Sequence, residues 1–182
     1  MIKMVEKENP MKTIRIEKLT LNVGAGKDAK VLEKGTKLLK ALTGINPIRT
    51  KTTKRLQAWG LRPGLPVGCK ITIRDPEKIK ELLPRLLDAK DKTLRTKMFD
   101  DLGNISFGIP ECIDITDYKY EPEIGIMGLQ VSVTLLRPGY RVVRRRLHSS
   151  KMKNTHHIKR VDAIDFMKKN YDIKILEEVE EE

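Results

Sequence analysis

Gly24-Ala25-Gly26-Lys27-Asp28-Ala29 lies between an alternating apolar stretch and an amphipathic one, the setting in which a G-x-G-x-x-A turn binds a dinucleotide pyrophosphate. That chemistry also needs a carboxylate about twenty positions later to hold a ribose, and residues 34–74 contain no Asp or Glu. No second βαβ half follows. A phosphate loop fits less well, because Leu21 stands where its first glycine belongs and Asp28 follows the lysine. The glycines therefore read as a tight turn whose amides could meet an RNA phosphate. Cys69, Cys112, His148, His156 and His157 are the candidate metal ligands, at spacings no zinc site favours. Ser149 and Ser150 beside His148 give sequence adjacency without the geometry of a nucleophile and its base. The residues thus point to no catalysis, metal, cofactor or small-molecule substrate.

What they offer is charge, and it is segregated. Residues 34–74 carry ten Lys and Arg, and residues 124–161 carry nine more, with no carboxylate in either run. Together these runs carry +19 against a whole-chain charge of +12, so the rest of the chain is net acidic. Such a surface, with a pI near 9.7, suits a polyanion, because each cation set against a phosphate releases a condensed counterion. Trp59, the only tryptophan, stands near Lys54, Arg55 and Arg62. Two readings of it stand: a stacking platform for an unpaired base, or an anchor folded onto the protein. The closely spaced aromatics of an RNA-recognition motif are absent. Arg141, Arg144, Arg145, Arg146, Lys151 and Lys153, in a segment that also holds Arg137-Pro138-Gly139, read as a basic loop that orders on structured RNA.

These residues need a scaffold. Ile14 and Ile16, then Leu19, Leu21 and Val23, predict a strand with a bulge or bend near Lys18. Val31, Leu32, Leu38, Leu39 and Leu42 predict a helix capped by Asp28 and stopped by Gly44. Residues 45–52 read as a second strand, 53–68 as a long exposed loop, and 67–74 as a third strand with Lys70, Thr72 and Arg74 on its polar face. Asp75-Pro76-Glu77 starts a helix that Pro84 should kink or split. Residues 104–109 and 128–136 read as further strands, and 162–171 as a closing helix. The expected fold is α+β: a mainly antiparallel sheet with helices packed on one face and basic loops projecting.

The length suits a single domain over residues 1–176 followed by an acidic tail at 177–182. Two cysteines without a close-spaced motif suggest a reducing compartment, with a disulfide between them left open. No stretch approaches the ~20 apolar residues that span a bilayer, so the chain reads as soluble and cytoplasmic.

Three stretches are familiar together: 21–26 (LNVGAG), 58–74 (AWGLRPGLPVGCKITIR) and 103–109 (GNISFGI). With Gly125-Ile126-Met127-Gly128-Leu129 and Arg137-Pro138-Gly139-Tyr140, the chain resembles the protein five family of the large ribosomal subunit, in its archaeal and eukaryotic branch. The resemblance implies a non-enzymatic protein that binds 5S rRNA and helps seat it in the central protuberance. It also implies contact with 23S rRNA, P-site tRNA, small-subunit protein thirteen and other 5S-associated large-subunit proteins. Asn22, Trp59 and Thr72 fall where the family contacts 5S rRNA, and Gly24, Arg49 and Lys70 join them as candidates. The loop with Lys51, Thr52, Thr53, Lys54, Arg55 and Arg62 falls where the family reaches for tRNA. The bacterial pattern has Gly-Gln where this chain has Gly44-Ile45, which removes one polar side chain at that point. The alternative is a stand-alone binder of structured RNA or duplex nucleic acid.

Overall fold

Successive strand side chains point to opposite faces, so the alternation of Leu19, Leu21 and Val23 gives β1 (Arg15–Gly24) a side that is buried from Leu19 to Val23. The same rule puts Cys69, Ile71 and Ile73 of β3 (Pro66–Ile73) and Leu129, Val131, Val133 and Leu135 of β6 (Leu129–Leu136) in the same core. Ile105, Phe107 and Ile109 of β5 (Ile105–Ile109) complete the layer. With β2 (Ile48–Lys51) these strands form a five-stranded antiparallel sheet in the order β2-β3-β1-β6-β5. The computed structural model describes residues 9–116 and 118–176; the expected acidic tail lies outside them. Of the bulge or bend expected near Lys18, the structure has a register shift between Ile16 and Lys18.

Two helices cover the apolar face. In α1 (Ala29–Thr43), Leu32, Leu38, Leu39 and Leu42 are buried, and a Cβ at Gly35 would lie 3.0 Å from Val23 and 3.1 Å from Cys69. A larger residue at this position would require Val23 or Cys69 to shift, so Gly35 suits the close approach of α1 to the sheet. Asp28 occupies the cap position without a side-chain hydrogen bond, while Gly44 ends the helix at φ 68°. In α2 (Pro76–Asp88) the Asp75 side chain accepts from the Glu77 amide at 3.4 Å. Pro84 does not split α2: the helix is continuous, held by buried Leu82, Leu83, Leu86 and Leu87 on either side of the proline. Tertiary burial here outweighs the hydrogen bond lost at one imide.

Two short strands escape sequence reading: β4 (Thr93–Arg95) and β7 (Lys174–Leu176) pair in parallel. Three residues are too few to show a period. The closing helices are α3 (Arg141–Arg144) and α4 (Arg160–Tyr171). Both cysteines are free and buried, and burial pushes the Cys69 thiol up, which keeps it protonated and inert.

Candidate nucleic-acid interface

The face of the sheet opposite the helices is polar and open. Cross-strand register sets Lys70, Asn22 and Gln130 in one row, and Thr72, Thr20, Ser132 and Ser106 in the next. A third row pairs Lys18 with Thr134. None of these side chains is buried, and no carboxylate is among them. Asn22 Nδ2 donates to Gln130 Oε1 at 2.9 Å, which fixes both amides while leaving an acceptor on Asn22 and donors on Gln130. Gly24, Gly108 and Gly128 line a shallow groove beside this pair; at Gly24 and Gly108, where a Cβ would meet nothing within 4 Å, backbone can approach a ligand closely. The combination of lysines with neutral donors and acceptors is what positioning and reading of irregular RNA require.

Sequence reasoning located Lys70 and Thr72 on this face, while Asn22, expected in a turn after the first strand, lies within β1; it passed over Thr20, Ser106, Gln130 and Ser132. Their signal was present, since they occupy the outward positions of the alternating strands. Arg49 separates from the group: it is opposite Cys69 in the register, whereas its neighbour Ile48, 68% exposed, is opposite Lys70. Arg49 therefore points to the helix side of the edge strand. Two of the turn amides are spent within the protein, because Ala25 and Gly26 both donate to the Val67 carbonyl, at 2.9 and 3.1 Å.

The expected long loop is a folded extension of the β2–β3 hairpin. Thr52 and Leu65 pair through the backbone, Gly64 donates to the Thr52 carbonyl, and Leu56 and Leu61 form a further two-bond rung. The Thr52 hydroxyl donates to the carbonyls of Arg62 and Leu65, so it ties the base of the hairpin. A 3-10 turn, Gln57–Trp59, closes the tip with Gly60 at φ 65°. Trp59 is 69% exposed there, which removes the anchor reading. Lys51, Thr53, Lys54, Arg55 and Arg62 are exposed on the same projection. About 20 Å of strand separates Thr72 from Pro66, where the projection begins, so Trp59 and the open face contact different parts of any ligand. Trp59→Ala should leave the melting temperature unchanged and weaken RNA binding by roughly 5- to 150-fold, the ~1–3 kcal/mol of one stacked base. A large drop in melting temperature would contradict the exposed placement.

A second basic projection, residues 137–159, is pinned at several points. Arg137 forms an ion pair with Asp162 at 2.9 Å with only 14% of its side chain exposed, and Ile158 is fully buried. Arg144 grips the Glu17 carboxylate through both terminal guanidinium nitrogens, and Arg145 donates to the His148 carbonyl at 2.7 Å. Arg144 thus neutralises the one carboxylate of β1 and fastens the lobe. Arg141, Arg146, Lys151 and Lys153 remain exposed.

The Arg144 hydrogen bond holds the Glu17 carboxyl below its ordinary 4.5. A carboxylate with a depressed folded-state pKa stabilises above its unfolded value and loses that contribution as pH falls through the folded value. Wild type should therefore melt above Glu17→Gln by a constant margin above pH 4.5, narrowing below it. The margin corresponds to up to about 1 kcal/mol, because Arg144 is half exposed and screened. Thermal melts across this range check it; a margin independent of pH would contradict it.

Among the described residues no three His, Cys, Asp or Glu side chains gather as a metal site, and no helix is long and apolar enough to cross a membrane. A family profile described as "Ribosomal protein L5" matches residues 9–62, and the profile for the C-terminus of the same ribosomal family matches residues 66–174. The large ribosomal subunit protein uL5 of Nanoarchaeum equitans is 44% identical over 169 residues, 93% of this chain and 99% of that protein. The proteins of the same name from Nitrosopumilus maritimus and Sulfolobus acidocaldarius are 42% and 40% identical, each over 96% of its own length. With both profiles matched in order, and with relatives aligned over nearly their whole length, the chain belongs to the ribosomal protein L5 family.

Proposed function

We propose that this protein is a structural, non-enzymatic constituent of the large ribosomal subunit that binds 5S rRNA and mediates its attachment in the central protuberance. In this reading one rRNA-binding domain docks its open sheet face, with Asn22, Lys70 and Thr72, against 5S rRNA. The Trp59 hairpin reaches toward P-site tRNA, and the lobe carrying Arg141, Arg146, Lys151 and Lys153 engages 23S rRNA. A bridge to small-subunit protein thirteen completes its contacts. The observation that carries the reading is the acid-free polar face, uncovered by protein and flanked by two basic projections. Family membership supplies the ribosomal setting.

Gel shift with 5S rRNA against an excess of unrelated structured RNA tests it. The 5S complex should survive the competitor. If about six phosphates are engaged, log affinity should fall against log salt with a slope of about −4 to −5. Equal loss to both RNAs, or a preference for any duplex, would favour a stand-alone nucleic-acid binder, which would also fail to sediment with large subunits.

A further inference from the structure

Where the open face of the sheet meets the second basic projection, Lys18, Leu102, Asn104, Thr134, Tyr140 and His157 line a cleft of about 310 Å³. Its floor is fixed by sheet register, because Lys18 and Thr134 are cross-strand partners. Its wall is aromatic: the Tyr140 and His157 rings meet edge to face with centroids 6.0 Å apart. Asn104 spends one amide hydrogen on Asp100 at 3.4 Å, which leaves its carbonyl oxygen and second hydrogen for a ligand. Glu17, the only carboxylate of β1, is occupied by Arg144, so Lys18 faces the cleft without a competing anion on its own strand.

We propose that this cleft seats one unpaired nucleotide of an RNA strand. The volume lies at the small end of the range for ligand pockets, enough for one base and its sugar. Aromatic edges and faces receive an unstacked base, an amide and a hydroxyl read its hydrogen-bonding edge, and a lysine meets the adjoining phosphate. A purely electrostatic surface would need neither the paired rings nor the amide. The cleft also joins two basic regions that otherwise act separately, so a base inserted here would set how the lobe docks relative to the sheet. This inference rests on the RNA-binding reading above and adds to it a specific, base-accepting subsite.

The test is an NMR titration of the isotope-labelled full chain with inorganic phosphate, with AMP and UMP, and with a single-stranded tetraribonucleotide of the same bases. Inorganic phosphate should move resonances of exposed cations only. AMP and UMP should add saturable shifts at Asn104, Thr134 and His157, and the tetranucleotide should produce them at concentrations at least tenfold lower. Thr134→Val, which keeps strand propensity, and Tyr140→Leu should each weaken these shifts threefold or more without altering the response at Lys70. The proposal is overturned if AMP and UMP act no differently from inorganic phosphate. Mononucleotides that match the tetranucleotide in affinity would overturn the assignment to an RNA strand. Gel shift with 5S rRNA, run in parallel, separates the two levels: retained 5S binding without base-dependent shifts removes the cleft alone, while loss of both removes the RNA-binding reading as well.

Discussion

Asn22→Ala/Lys70→Ala/Thr72→Val should lower affinity for 5S rRNA by about 10²- to 10³-fold and leave the melting temperature within a few degrees of wild type. The stability expectation follows from placement: all three side chains project from the face opposite the core, and valine suits an antiparallel strand at least as well as threonine. The affinity expectation follows from what each group can offer. A lysine against phosphate contributes roughly one unit of salt slope and acts on all RNAs alike. Hydrogen bonds from an amide and a hydroxyl to RNA, each worth about 1–1.5 kcal/mol and more when the partner is charged, act on one arrangement of groups. The single variants should therefore divide. Lys70→Ala should weaken 5S rRNA and competitor RNA equally, whereas Asn22→Ala and Thr72→Val should reduce the preference for 5S rRNA. Gel shifts at two salt concentrations measure both quantities, and an unchanged preference in all three variants would show that the sheet face is not where the RNA is read.

Gly103→Ala should destabilise the protein by about 2–4 kcal/mol, combining a left-handed backbone position with overpacking. Gly103 sits at φ 76° in the turn before β5, and a Cβ there would lie 2.5 Å from Cγ2 and 3.0 Å from Cβ of Ile158. Ile158 is fully buried and cannot swing into solvent to make room. For a chain of this size such a loss lowers the melting temperature by roughly 5–15 °C. Because Ile158 is the buried foot of the second basic projection, that lobe should loosen before the sheet. Hydrogen exchange faster across residues 137–159 than across β1 would report this; uniform acceleration would argue that the turn stabilises the sheet directly.

Much of the scaffold was legible in the residues. Period-two alternation identified β1, β3 and β6, residues 104–109 read as the strand that is β5, and Asp75-Pro76 and Gly44 placed the start of one helix and the end of another. These signals are local: they come from the pleat of the backbone and from unpaired groups at helix ends. The hairpin at 52–65 was missed because its rungs, Thr52 with Leu65 and Leu56 with Leu61, need the two sides brought together, and its glycines and prolines mark turns without saying how the turns pair. The split allowed for at Pro84 is absent for the converse reason, a local penalty overruled by leucines that reach the common core.

The sequence by itself determined that this protein carries two acid-free basic runs, that its strands have one apolar and one polar side, and that its motifs resemble those of a ribosomal protein family. Only the tertiary structure decided which cations and amides remain available. Register, a relation between strands, put Arg49 across from Cys69 and away from Lys70. Chain closure brought Glu17 to Arg144, 127 positions away, and so spent one predicted RNA-binding arginine on a structural clasp. Composition counts charges, but folding sets which of them meet each other and which still face solvent.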